Sequence, residues 1–237
     1  MRGATKTRLA LYATLGVLVA YFLIAYIFVP GIWRVHDDRR IAGFDKMVTT
    51  TEQGIPGDPI NIGLIGSREI VIRAFHAAGW DPADAITLRS SIDIGLSVVL
   101  DRPDLDAPVS TLLYDGQKQE MAFEKPVGES ADKRNHVRFW RTPKTDDKGS
   151  PVWLGSASFD RGVGFSHDTG QITHHIGPDL DAERDLVMRD LAAAGYIVPT
   201  PYDIEGVGPT KDGRNGGGDP YFTDGKALVG ELKEPAQ

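Results

Sequence analysis

Between Leu9 and Trp33 the chain carries no charged side chain. A helix from Leu9 to Val29 is roughly 30 Å long, the thickness of a bilayer's hydrocarbon core. The run is apolar around its whole circumference, which a core helix of a soluble domain rarely is. It is longer than the apolar part of a signal peptide, and no small-x-small cleavage site follows it. These properties predict one uncleaved transmembrane helix within a basic segment and anchor, 1–33, with the bilayer as partner of residues 9–33. Tyr21, Tyr26 and Trp33 suit the interfacial zones. Arg2, Lys6, Arg8 and the terminal amine flank one side; Arg34, Arg39, Arg40 and Lys46 flank the other. With the count nearly balanced, the basic amino end is expected inside, leaving a single-pass inner- or plasma-membrane protein with an extracytoplasmic globular domain.

The 237 residues leave room for one medium domain after the anchor. Net charge is −7, unevenly spread: residues 1–46 carry seven basic and three acidic side chains, so the remainder holds nineteen against thirty. A domain that acidic argues against a nucleic-acid partner. There is no cysteine, so disulfides, thiolate nucleophiles and zinc–sulfur sites are excluded.

Residues 34–57 read as a polar linker with a short helix near 39–48, and the globular domain is expected over 58–233. NIGLIG (61–66) predicts a strand. Ser67 follows as a helix N-cap, with Ile70, Val71, Ala74, Phe75 and Ala78 on one face and Gly79 as the stop. A second helix over 183–196 puts Leu186, Val187, Leu191 and Ala194 on one face and ends AAGY where the first ended AAGW. A third is expected over 86–100. Leu112–Tyr114, Glu120–Lys125, His136–Arg141, Val152–Phe159 and Gln171–Ile176 predict short strands, and DDKGSP (146–151) a hairpin turn. The glycine-rich 206–220 predicts a mobile loop. Asp224–Gly225, between two apolar runs, predicts a hairpin. The fold class is α+β: one domain with a mainly antiparallel or mixed sheet and about three helices, mostly on one face.

No GxSxG elbow, Walker A loop or dinucleotide fingerprint is present. The histidines are what remains. His36 and His76 fall at solvated positions; His136, His167, His174 and His175 cluster in the central region. In NHVRFWR (135–141), alternation sends His136, Arg138 and Trp140 to one face and Val137 and Phe139 to the other. In ITHHI (172–176), His174 shares a face with Ile176, and His175 with Thr173. A histidine on an apolar face is more often hydrogen-bonded in a core than a ligand. The catalytic candidates are His136, His174, Asp160, Arg138 and Glu124, with Arg138 holding an anionic group. For a divalent metal, whose cofactor role no local motif supports, the candidates are His136, His174 and Asp181. An ion pair is expected for Glu124–Arg138 or Asp185–Arg189. Asp179 or Asp181 caps the helix after Gly177–Pro178, where Glu183 and Asp185 suit the positive end.

APVST (107–111), MAFEKPVGES (121–130), NHVRFWR (135–141), PVWLGSASFDRGVGFS (151–166), THHIGPDLDAERD (173–185) and GGDPYFTDG (217–225) stand in an order that resembles the LssY carboxy-terminal domain family, over roughly 58–233. That family takes its name from a component associated with a type I secretion locus. Related chains look like fusions to multi-pass segments, including phosphatidic-acid-phosphatase-type ones; with a single anchor here, no phosphatase domain carries over. The resemblance implies a membrane setting and a domain boundary, and no reaction. Three functions stay open: an envelope- or secretion-associated binding or accessory module with an envelope protein partner, a hydrolase-like enzyme, and a structural role for the histidines. Convergence of His136, His174 and Asp160 in one polar pocket would favour the enzyme.

Overall fold

The computed structural model describes residues 2–29, 47–84, 87–89, 92, 111–128, 133–205 and 212–235. The expected linker up to residue 46 with His36, most of the expected third helix and residues 206–211 lie outside them; Thr87–Arg89 and Ile92 are helical.

Helix α1 (Arg2–Leu23) continues into a π-helical turn, Ile24–Phe28. Arg8–Phe28 is long and apolar enough to cross a membrane, and almost none of it is buried inside the protein. In the π turn the Val29 N–H donates to the Ile24 carbonyl, five residues back. The Ala25 carbonyl would then need an N–H from position 30, which is Pro30 and has none. Gln171 Nε2 donates to it instead, at 3.0 Å, and one turn earlier Tyr21 Oη donates to the Gly170 carbonyl at 2.7 Å.

The domain opens with β1 (Val48–Thr51), inside the segment expected as linker, and β2 (Pro56–Pro59), which straddles its end. They are followed by β3 (Ile62–Ile65), α2 (Arg68–Ala77), β4 (Asp81–Pro82), β5 (Leu112–Tyr114), β6 (Gln117–Lys118) and β7 (Met121–Pro126). The hairpin β8 (Arg134–Thr145) and β9 (Pro151–Phe165) is longer than its apolar runs suggested. Then come β10 (Ile172–Ile176), α3 (Leu180–Ala193), β11 (Ile197–Glu205), β12 (Asp212–Arg214), β13 (Pro220–Phe222) and β14 (Lys226–Leu232).

The main sheet is mixed and runs β11-β14-β3-β9-β8-β7-β4, with β10 also on β9; only β14–β3 is parallel. Helices α2 and α3 cover one face. Ser67 caps α2 by accepting from Ile70 N–H, and Asp179 caps α3 by accepting from Ala182 N–H, while Gly79 and Gly195 end the two helices at positive φ. Phe75 of α2 stacks on Phe123 of β7 at 4.2 Å, Phe139 and Trp153 fill beside them, and Val187 and Leu191 come from α3. Trp80 Nε1 donates to Asp190 Oδ2 at 2.9 Å and so ties the two helices together. The second face is covered by a smaller sheet, β2-β1-β5-β6, over Met47, Ile60, Leu112, Trp140 and Leu154.

Two turn expectations change. Asp224–Gly225 joins strands of different sheets, because β13 pairs with β12 whereas β14 pairs with β11 and β3; the apolar runs on either side of it serve separate layers. Residues 212–220, expected as part of a mobile loop, form a tight hairpin. Asn215 Oδ1 accepts from the N–H groups of Gly217 and Asp219, and Asn215 and Asp219 are buried. Glycine is required at 218, where φ is +82° and a Cβ would lie 2.8 Å from the Asp168 carboxylate.

The sheet–helix contact has no slack at Gly155. A Cβ there would stand 2.6 Å from the Phe139 ring and 2.8 Å from Ile62. Gly155→Ala is expected to lower unfolding stability by about 1–3 kcal/mol, and Phe139→Leu in the same chain to recover part of it; thermal unfolding of both checks this.

Candidate functional site

Strand alternation on β8 divides its side chains as expected. Val137 and Phe139 enter the helix-side core; His136, Arg138 and Trp140 face the smaller sheet. Register then decides the neighbours. His136 lies between Glu124 and Ser158, Arg138 between Ala122 and Ser156, and Arg134 between Pro126 and Asp160. All of Glu124, His136, Arg138, Ser156, Ser158 and Asp160 are buried.

Buried charge on this face is organised by Arg134. Its Nη1 donates to Glu124 Oε2 at 2.8 Å, its Nε donates to Asp160 Oδ2 at 3.0 Å, and its Nη2 lies 3.4 Å from His174 Nε2. The expected Glu124–Arg138 pair is therefore replaced by Glu124–Arg134. The long side chain two residues before His136 reaches diagonally to Glu124 on β7 and straight across to Asp160 on β9. Arg138 instead faces Asp58 of β2, with Nη1 3.6 Å from Oδ2. Its Nε, also buried, has no hydrogen-bond partner among the described residues. Burial lowers the Arg138 pKa from its usual value, against the opposing pull of Asp58 and Asp160. Burial likewise raises the Asp58 carboxyl, against Arg138 and a hydrogen bond with Asn215.

Arg138, Asp160 and His174 converge on one cleft of about 320 Å³ between the two sheets. Asp58, Asn215, Ser166 and Thr169 line it as well, and so does Tyr26 of the membrane helix. His136 and Glu124 belong to the same polar layer but do not line the cleft. Asp181 is brought elsewhere: its carboxylate accepts from Thr223 Oγ1, Asp224 N–H and Arg184 Nη1. The strand-to-helix corner thus separates Asp181 from the histidines it was grouped with. Asp185 pairs with Arg184 rather than Arg189. Glu183 stands in the first turn of α3 as expected, while burial, Asp179 and Asp160 push its carboxyl up to about 7.

Residues 41–227 match the family model described as LssY C-terminus. The chain belongs to the LssY C-terminal family. No curated protein and no solved structure matches it. The family stretch takes in β1 and β2, so Asp58 and the smaller sheet are part of the LssY C-terminal domain, which extends further toward the membrane helix than residue 58.

Arg134, Asp58 and Asn215 were not among the sequence candidates. Arg134 was within reach, since it continues the period-two series of His136 and Arg138. Asp58 and Asn215 carry no local signal. His175 points away from the cleft and bonds Asp219, with Nδ1 2.8 Å from Oδ1.

The polar layer of this LssY C-terminal domain holds His136 neutral. Burial depresses its pKa well below 6.5, and Arg138, Arg134 and His174 add to the shift. The unfolded chain takes up a proton near pH 6.5 that the folded chain refuses, so this residue's contribution to stability falls as pH drops below about 6.5. Wild type is expected to lose more stability than His136→Gln between pH 7.5 and about 5; denaturant unfolding at several pH values checks this, and parallel curves would contradict it.

Proposed function

We propose that this chain is a membrane-anchored binding module of the cell envelope. Its cleft takes an oxygen-rich anionic group, phosphate or carboxylate, presented at the bilayer surface. Arg138 carries the reading: a guanidinium in the cleft wall whose carboxylate partner among the described residues, Asp58, stands 3.6 Å away. A charge-assisted hydrogen bond from it to a ligand oxygen contributes about 1.5–3 kcal/mol. Arg134 is held at 2.8 and 3.0 Å by Glu124 and Asp160, whereas Arg138 stands 3.6 Å from Asp58, so Arg138 is the more available donor of the two. Tyr26 in the cleft lining, with the Tyr21 and Gln171 contacts, sets the mouth beside the membrane helix. An accessory role in secretion with an envelope protein partner is what the family resemblance adds.

The hydrolase reading is favoured by Arg138, Asp160 and His174 sharing the cleft. Arginine only donates, so the Arg134 contact makes His174 Nε2 an acceptor whose lone pair faces Arg134 rather than a substrate. That geometry supports binding better than proton abstraction at Nε2.

Calorimetric titration of the full chain in neutral detergent tests the reading, with short-chain phosphatidate in one arm and inorganic phosphate in the other. Arg138→Met is expected to weaken binding by about 10- to 100-fold. Binding of phosphatidate alone identifies a lipid headgroup, and binding of both a free anion site. Equal affinity in Arg138→Met, or no binding in either arm, overturns the proposal.

The extracytoplasmic placement has its own test. A phosphatase reporter fused after Gln237, active only outside the cytoplasm, is expected to be active. An inactive phosphatase beside a bright cytoplasm-maturing fluorescent fusion puts the domain inside.

A further inference from the structure

On the far side of the cleft wall, two segments distant in sequence, the β9–β10 connection with β10 and the turn before β13, bring metal-ligating atoms together. His167 lies in the turn after β9, His175 on β10 and Asp219 just before β13. One donor atom from each lies within 4.8 Å of the other two. His175 Nδ1 is 2.8 Å and His167 Nε2 3.6 Å from the same Asp219 oxygen, Oδ1. For comparison, neighbouring ligands of a tetrahedral zinc with bonds near 2.0–2.1 Å stand about 3.3 Å apart.

The arrangement is held from behind. Asp219 has no exposed side-chain surface. Its Oδ2 accepts from Ile176 N–H at 3.0 Å, and its own N–H donates to Asn215 Oδ1 at 2.9 Å, so Oδ1 is aimed by its supports. His167 N–H donates to the Gly217 carbonyl at 2.9 Å, tying the two turns. The His175 ring lies over Gly164, where any Cβ would stand 2.5 Å from Nε2. The rings of His167 and His175 are 5.1 Å apart. His167 is mostly solvent-exposed, which leaves an open side for water. Arg161, half-exposed, is the other cation near Oδ1, at 3.7 Å, and can swing outward.

A hydrogen-bonded His175–Asp219 pair explains one of these contacts. It does not explain a second imidazole converging on the same oxygen. We infer that His167, His175 and Asp219 bind one divalent transition-metal ion, zinc being the best match to two imidazoles and a carboxylate. The ion replaces the proton shared by His175 Nδ1 and Asp219, which passes to solvent, and water completes the shell. Ser166, Thr169, Asn215 and Gly217 of the same two turns line the cleft, so the ion clasps one of the cleft walls. This goes beyond the anion-binding reading and stands or falls separately from it, since its readout is the metal itself.

The test uses the chelator-stripped full chain in detergent, titrated with zinc by calorimetry and assayed for bound metal after dialysis. One zinc per chain is expected, with a binding heat that varies with the buffer because the released proton is taken up by it. His167→Ala removes an exposed side chain and leaves folding intact; it is expected to weaken zinc binding by at least about tenfold, and His175→Ala further. His76→Ala, an exposed histidine on α2, is expected to change nothing. No zinc bound at micromolar concentration, or equal binding in wild type, His167→Ala and His175→Ala, overturns the assignment.

Discussion

The fork of Arg134 is the interaction on which this domain's second face depends. One guanidinium on β8 bonds carboxylates from β7 and β9 and touches an imidazole from β10. Four strands meet at one charge. Buried carboxylates without that partner would each carry a penalty of several kcal/mol, so the polar layer exists only because its register puts Arg134 between them. With two acids neutralised there, the adjacent arginine is left facing Asp58 across the layer boundary. The smaller sheet then has to cover a face that is polar at one end and apolar at the other, around Trp140 and Leu154.

Much of this was legible in the chain. Period-two alternation placed His136 and Arg138 opposite Val137 and Phe139, and the caps at Ser67, Gly79 and Gly195 follow from side-chain chemistry alone. The partner of Glu124 was missed because alternation fixes the face, not the diagonal neighbour: Glu124 stands opposite His136, which leaves Arg134 and Arg138 both diagonal to it, and Arg138 faces Asp58 of β2 instead. Asp181 was grouped with the histidines by proximity in sequence, and the Gly177–Pro178 corner undoes that proximity. The Asp224–Gly225 turn looked like a hairpin because local pattern cannot report which sheet each strand joins.

What local pattern hides most completely is convergence over distance. His167, His175 and Asp219 sit in three turns or strand ends with no spacing between them that a motif could capture. The glycine that permits the approach of His175, Gly164, looks from sequence like plain flexibility. In the fold it does the opposite: it is small so that the His175 ring can rest against the backbone in one position.

The π turn at Ile24–Phe28 has a mechanical consequence. Adding a residue to one helical turn shifts the azimuth of everything before it, and Pro30 leaves the Ala25 carbonyl vacant on the side that Gln171 meets. The joint is therefore keyed like a shaft in its socket: the domain is indexed to the helix in rotation as well as in height. Two hydrogen bonds, Tyr21 to the Gly170 carbonyl and Gln171 to the Ala25 carbonyl, couple any rotation of the helix to the 166–171 turn, and so to the cleft wall that this turn supplies.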